Sequence, residues 1–407
     1  MSAGTATPNV FRAGLPVIDY DGDHTPAQVY PQLRDALAVA PIAVGPYGPE
    51  VLSHELVKSA LRDPRLRLPP GLGLVVQGIT SGPLWDRVTS TLLCMEGPEH
   101  HRLRSLLSRA FTPRAVQRLH DTITDVITSL VDHATRRGHC DVVTDIARPY
   151  PVPVICALLG APAQDWEQFS LWADDIFQAF TFTEVPDVEN IVMTAWRALD
   201  DYTDAMIERR RHTLTDDLLS DLIRAEDGGD RLDHAELRML AAGILLAGTD
   251  TTRNQVAASI DLLCDHPDQW QLLCRRPELA LNAVHETMRY APIACSTLRV
   301  AGEDLELGGV AIPAGTMVIL NFVGANRDPA VFDEPDRFDI TRSATAPIMT
   351  FGAGVHYCIG ANLAKTELAE ALKAVTRRWQ PPRRTGPAPW KPMVALSGPK
   401  TLPLAFD

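Results

Sequence analysis

The chain has 407 residues, 45% hydrophobic and 22% charged; this is the balance of an ordinary globular protein with an ample core, unlike disordered, fibrous or disulfide-scaffold chains. A net charge of −13 without a long basic run argues against a nucleic-acid partner, which needs clustered Lys and Arg. Seven scattered cysteines (Cys94, Cys140, Cys156, Cys264, Cys274, Cys295, Cys358) without a CxxC pair argue against structural zinc and suit reduced thiols in a cytoplasm.

The amino terminus, MSAGTATPNVFRAGLP, lacks a basic segment followed by an apolar one, so it does not read as a secretory signal and the mature chain is expected to begin here. Helical spacing of apolar residues dominates the first 290 residues, as in PAQVYPQLRDALAV, AVQRLHDTITDVITSLVDHA and NIVMTAWRALDDYTDAMIERRR. The longest such segment starts at the candidate cap Asp233, with Glu236 three residues on, and runs through LRMLAAGILLAGTDTTRNQVAASIDLL across the core. TDTTRNQ interrupts its apolar part well before the ~20 residues of a bilayer span, so no membrane segment is expected. After Arg299 short β-type runs follow, with turn signals at Gly308-Gly309 and Pro313-Ala314-Gly315. The stretch 327–342 and QPPRRTGPAPWKP read as irregular. The predicted class is mainly α with a small β region, at about 300–342 and near the carboxyl end.

In FGAGVHYCIGANLAK (351–365), Cys358 precedes a helical run, where free backbone N–H groups and the helix dipole favour thiolate. Gly352, Gly354 and Gly360 let the backbone turn tightly and approach something flat. Three readings are open from these residues alone: a buried thiol in an ordinary turn, a nucleophile served by His356, or the anchor of a planar cofactor.

The loop resembles the haem-ligand pattern of the cytochrome P450 family, F-G-x-G-x-H-x-C-x-G, at every fixed position: Phe351, Gly352, Gly354, His356, Cys358 and Gly360. Lys365 stands where the family usually has arginine. The resemblance implies a P450 fold, with a long central helix over a buried haem b, and Cys358 as the thiolate ligand that pushes electron density onto iron. It also implies one domain over 1–407.

Three further motifs agree in order. E-x-x-R strings start at Glu99, Glu208, Glu286 and Glu334, but only Glu286 lies on a predicted helix ending in Arg289-Tyr290-Ala291-Pro292 and followed by an isolated arginine, Arg299. Glu286 and Arg289 share a helix face; the resemblance adds Arg337 as a third member pinning the irregular segment. Ala247-Gly248-Thr249-Asp250-Thr251-Thr252 resembles the family's oxygen-binding segment. Gly248 would leave room for a ligand, the Thr251 hydroxyl would bond the Ala247 carbonyl and open the helix slightly, and Thr251 with Asp250 would deliver protons. The propionates need cations, and the resemblance assigns His100, Arg104, Arg299 and His356.

The family's pocket positions fall on 69–85, on Ala242 to Thr251 (Gly243 and Ala247 among them), on Ile293 to Thr297, and on Met393 to Leu396. The candidate lining is Leu74, Val75, Val76, Ile79, Ile293, Ala294, Cys295, Ser296 and Leu396, which predicts a lipophilic substrate. Small residues at 294–296 suggest room for a ring system. WADDIFQAFTFTEV reads as a lid, where Phe177, Phe180 and Phe182 either touch substrate or pack the lid helices. No nucleotide-binding or reductase segment is evident, so a ferredoxin and ferredoxin reductase are expected as electron donors. Arg102, Arg109, Arg114 and Arg118 are the candidate docking cations.

The expected activity is a haem-thiolate monooxygenase, monomeric and cytoplasmic, hydroxylating or epoxidising a natural product, terpenoid or steroid-like compound. Oxidative ring closure or carbon–carbon coupling shares every motif. A non-catalytic haem sensor has no need of Asp250-Thr251, and a thiol hydrolase predicts a colourless protein.

Overall fold

The computed structural model describes residues 7–20, 24–181, 185–227, 232–343, 346–393 and 395–406. Eight helices frame the site: α1 (Gly97–Ser108), α2 (His120–Arg137), α3 (Pro151–Leu159), α4 (Trp166–Ile176), α5 (Val188–His212), α6 (His234–Cys264), α7 (Ala280–Tyr290) and α8 (Ala361–Arg378). The long α6 begins as its sequence predicts. The Asp233 carboxylate accepts from the Glu236 N–H at 2.8 Å and the Glu236 carboxylate from the Asp233 N–H at 3.0 Å, so two otherwise unpaired N–H groups are satisfied.

At 1.5 Å per residue α6 is roughly 46 Å long, and it packs against α3, α4, α5, α7 and α8. Its apolar residues, among them Leu237, Leu240, Ala241, Ile244 and Leu245, are buried in the largest hydrophobic cluster. Among the described residues no helix is long and apolar enough to cross a membrane.

The sheet departs from its sequence reading. Five strands, β1 (Ile42–Gly45), β2 (Gly48–Val51), β3 (Leu66–Arg67), β4 (Ser296–Ala301) and β5 (Met317–Asn321), lie in the order β1-β2-β5-β4-β3. Three of them come from the part of the chain that reads as helical. β2 runs parallel to β5 with Glu50 opposite Ile319, and β3 is antiparallel to β4. Strands of two to four residues carry too little periodicity to be seen locally, and β2 and β3 find partners only far along the chain, Glu50 opposite Ile319 and Leu66 opposite Ala301, while β1 pairs with β2. The hairpin over Gly308-Gly309 forms where the turn signal stands, with φ of +57° and +83° at the two glycines.

All four E-x-x-R strings form ion pairs, and burial separates them. Glu99–Arg102, Glu208–Arg211 and Glu334–Arg337 each have at least one exposed partner, whereas the Glu286 and Arg289 side chains are 3% and 2% exposed. The third member is Arg342, not Arg337: Arg342 Nε lies 3.2 Å from the Glu286 carboxylate. The Arg337 side chain turns outward to Glu334 and Asp339, and only its backbone carbonyl accepts from Arg289, at 3.1 Å.

Candidate active site

Cys358 stands between two 3₁₀ turns, Met349–Phe351 and Gly354–His356, and the start of α8. Gly352 and Gly354 take φ of +67° and +71°, which side chains disfavour. A Cβ on Gly354 would also sit 2.7 Å from the Leu61 carbonyl oxygen. The loop closes through the Cys358 N–H donating to the Phe351 carbonyl at 2.9 Å. Phe351, Gly352, His356, Cys358 and Gly360 all line one cavity. Burial pushes the Cys358 thiol up, and the Gly360 N–H, Arg104 and Lys365 offset this in part.

α6 forms the opposite wall with Ala247, Gly248, Thr251 and Thr252. The Thr251 hydroxyl donates to the Ala247 carbonyl at 3.1 Å, as its spacing predicts, within a helix assigned continuously from His234 to Cys264. Gly248 also has a different first role: a Cβ there would collide with Ile155 of α3, so the glycine is what lets α3 and α6 approach.

A basic corner adjoins this cavity. The His100 and His356 rings lie 4.4 Å apart, and His100 Nδ1 and His356 Nε2 are buried with no hydrogen-bond partner among the described residues. Arg299 is buried on β4, donates to the Leu298 carbonyl at 2.7 Å, and makes no ion pair among the described residues. Burial, with His100, Arg299 and Arg104 nearby, brings His356 down to about 4. Burial alone brings Arg299 down to about 10, partly offset by Glu96. Arg104, also near His100 and His356, donates to the Tyr357 carbonyl next to Cys358.

Two groups, one buried and one partly buried, escaped the sequence reading. Glu367 on α8 lines the cavity floor, and burial holds its carboxyl well above the ordinary range while the Thr252 hydroxyl partly offsets this. Its signal was an acid four residues from both Leu363 and Ala371 on an apolar helix face. The second is Arg253, which bonds Asp250 through Nε at 2.7 Å and reaches Asp174 of α4 at 2.5 Å. Asp250 is therefore held in an ion cluster beside a second cavity of about 270 Å³, and it does not line the first.

The candidate substrate residues divide. Ile293, Ala294 and Ser296 line the main cavity with Ala247. Phe177, Phe180 and Leu396 line the second, and Leu396 pairs across to Ala294. Gly243 faces open space, where a Cβ would meet nothing within 4 Å. Cys295 lines neither cavity: side chains alternate along extended backbone, so it turns from Ala294 and Ser296 into a core cluster with Ile18, Tyr20 and Met393. Leu74 is fully buried in the main core, Val75 points outward, and Val76 and Ile79 are half-buried outside both cavities, because 73–76 is a helical turn. Phe182 lies outside the described residues.

The Cytochrome P450 family model matches residues 86–274 and 277–401. Luteothin monooxygenase of Streptomyces thioluteus is 36% identical over 396 residues, 97% of each chain. 6-deoxyerythronolide B hydroxylase of Saccharopolyspora erythraea is 34% identical over 409 residues, 97% of this chain and 99% of that one. The fold superposes on CalO2 with a TM-score of 0.87 at 32% identity, covering 93% of this chain and 96% of that one. It superposes on P450BioI, solved with acyl carrier protein bearing hexadec-9Z-enoic acid, with a TM-score of 0.85 at 30% identity, covering 93% and 98%. With the cysteine loop, the facing threonine helix and the buried Glu286–Arg289 pair all in place, the chain belongs to the cytochrome P450 family, the haem-thiolate monooxygenases.

Proposed function

We propose that Cys358 is the haem ligand of a single 1–407 domain and that the main cavity oxidises a lipophilic natural product, terpenoid or steroid-like compound. The observation that carries this is that Cys358 and Thr251 line one cavity beside Arg299, His100 and His356, which have no acidic partner among the described residues. Haem fits these residues: Arg299 and the orphaned nitrogens of His100 and His356 match two propionate carboxylates, and the glycines at 352 and 354 keep side chains off the thiol loop. Arg104, bonded to the Tyr357 carbonyl beside Cys358, lies near the same two histidines and adds a further cation there.

Bound haem supplies activation of O2 and insertion of one of its oxygen atoms, using two external electrons. The Thr251 hydroxyl, held by the Ala247 carbonyl, keeps a donor at the cavity wall. Asp250 would hold a proton at its carboxylate and pass it inward once it leaves Arg253. The apolar lining, Ile244, Ile293, Ala294 and Phe322 among it, excludes water and positions the carbon attacked.

Electrons arrive from a ferredoxin and its reductase at the face around Cys358. Support comes from exposed Val355 and Tyr357, 51% and 43% accessible, and from exposed Arg109 and Arg114. Arg118 pairs with Asp216, and Arg102 is already held by Glu99 and Glu236, which takes it out of the docking set. A monomer in the cytoplasm completes the reading.

The test is an optical spectrum of purified protein, oxidised and then reduced under carbon monoxide, with Cys358→Ser as control. A strongly red-shifted Soret band lost in the variant is expected. A protein that cannot be reconstituted with haem overturns the reading. Isotopic oxygen in the product then distinguishes oxygen insertion from coupling.

A further inference from the structure

The second cavity carries a charge that the oxidation chemistry does not use. Its lining combines apolar groups, Phe177, Phe180, Pro392 and Leu396, with Asp174, Asp250, Arg253 and Lys391. The carboxylates are already committed. Asp174 accepts from Arg148 at 2.6 Å and from Arg253 at 2.5 Å, and Asp250 accepts from Arg253 at 2.7 Å. Arg148, Arg253 and Lys391 thus face two carboxylates, which leaves one positive charge.

That charge is on Lys391. Its ammonium donates to the Asn254 side-chain carbonyl at 3.0 Å and lies 3.9 Å from Asp250, too far for a hydrogen bond. An ammonium has three donors, so two of them have no protein partner among the described residues. Burial lowers the Lys391 ammonium from its ordinary value, with Asp250 partly offsetting this, and its side chain stays 34% accessible, open to an anion that enters the cavity. The backbone at Lys391 is fixed, its N–H donating to the Gly398 carbonyl at 2.8 Å and its carbonyl accepting from the Ser397 hydroxyl at 2.9 Å. Lys400 lines a further cavity together with Arg148, Asp174, Arg253 and Lys391 and adds a positive charge.

We infer that Lys391 binds a carboxylate on the substrate, so that the natural substrate is a lipophilic acid whose carboxylate sits in the second cavity while its apolar body reaches past Ala294 and Leu396 into the main one. This rests on the main cavity being the oxidising site and adds the substrate's charge. Arg253 cannot take this role, because both of its acidic partners hold it.

The experiment titrates the haem-loaded protein at pH 7.5 with dodecanoic, 4-phenylbutyric and abietic acids and with the methyl ester of each, reading the spin-state shift. Wild type is expected to bind acids about tenfold more tightly than their esters, the worth of one charge-assisted hydrogen bond. Lys391→Met should bring the ratio close to one without weakening the esters, and Lys391→Arg should restore the preference. An unchanged ratio in Lys391→Met overturns the inference, as do esters that bind as well as acids to wild type, or a failure of every acid to bind. The carbon monoxide spectrum of each variant reports the haem site separately, so loss of the ratio with a normal spectrum is a result about Lys391 alone.

Discussion

Glu286 and Arg289 form a two-pronged ion pair, 2.7 and 2.9 Å, buried between α7 and the irregular segment 327–342. Arg289 spends its remaining donors on the carbonyls of Asn326 at 3.0 Å, Pro335 at 2.8 Å and Arg337 at 3.1 Å. Removing one partner strands a buried charge, at about 3–5 kcal/mol. Arg289→Met is therefore expected to lower the melting temperature steeply or abolish haem incorporation. Arg337→Ala, which removes only exposed ion pairs, should cost under about 1 kcal/mol. Equal losses in the two variants would contradict this.

Gly248 and Ile155 test helix approach. Gly248→Ala should destabilise by about 1–3 kcal/mol through overpacking, and Ile155→Ala should relieve part of that loss in the double variant. Additive losses in a denaturant cycle would show that the glycine serves the cavity instead.

Neighbouring residues on one extended segment should behave oppositely. Ala294→Phe fills the main cavity and is expected to weaken binding of bulky lipophilic ligands at least about tenfold, read as a spin-state titration. Cys295→Ala, in the core cluster, should leave that titration unchanged and cost about 1 kcal/mol of stability.

Glu50 predicts a pH dependence of folding. Its carboxyl is buried against the Tyr20 hydroxyl at 2.8 Å and the Asn321 amide at 2.8 Å, and burial raises it from 4.5 to about 7 against the lowering effect of both bonds. A group raised in the folded state contributes its full stability below about pH 4.5 and loses it as pH rises through 7. The loss amounts to roughly 3 kcal/mol by pH 8. Melting temperatures of wild type should fall between pH 5 and pH 8, and Glu50→Gln should flatten that component. Parallel profiles for the two proteins would refute the assignment.

Local chemistry by itself determined much of this protein. The Asp233–Glu236 cap, the helical periodicity of α2, α5 and α6, the Gly308-Gly309 turn and the loop around Cys358 each depend on residues within a few positions of one another. The apolar face of α8 likewise carried the sign of a buried acid in Glu367. Tertiary structure alone decided what depends on partners distant in sequence. It drew β2 and β3 from a helical-looking region to meet strands far along the chain, with β1 added at the edge of β2, made Arg342 the third partner of Glu286, and set Gly248 against Ile155. It turned Cys295 away from the cavity and left Lys391 facing a cavity with unused donors. Spacing reports which residues share a face, but which charges lose water together is fixed only when the chain packs, and that desolvation separates a surface ion pair from a functional one.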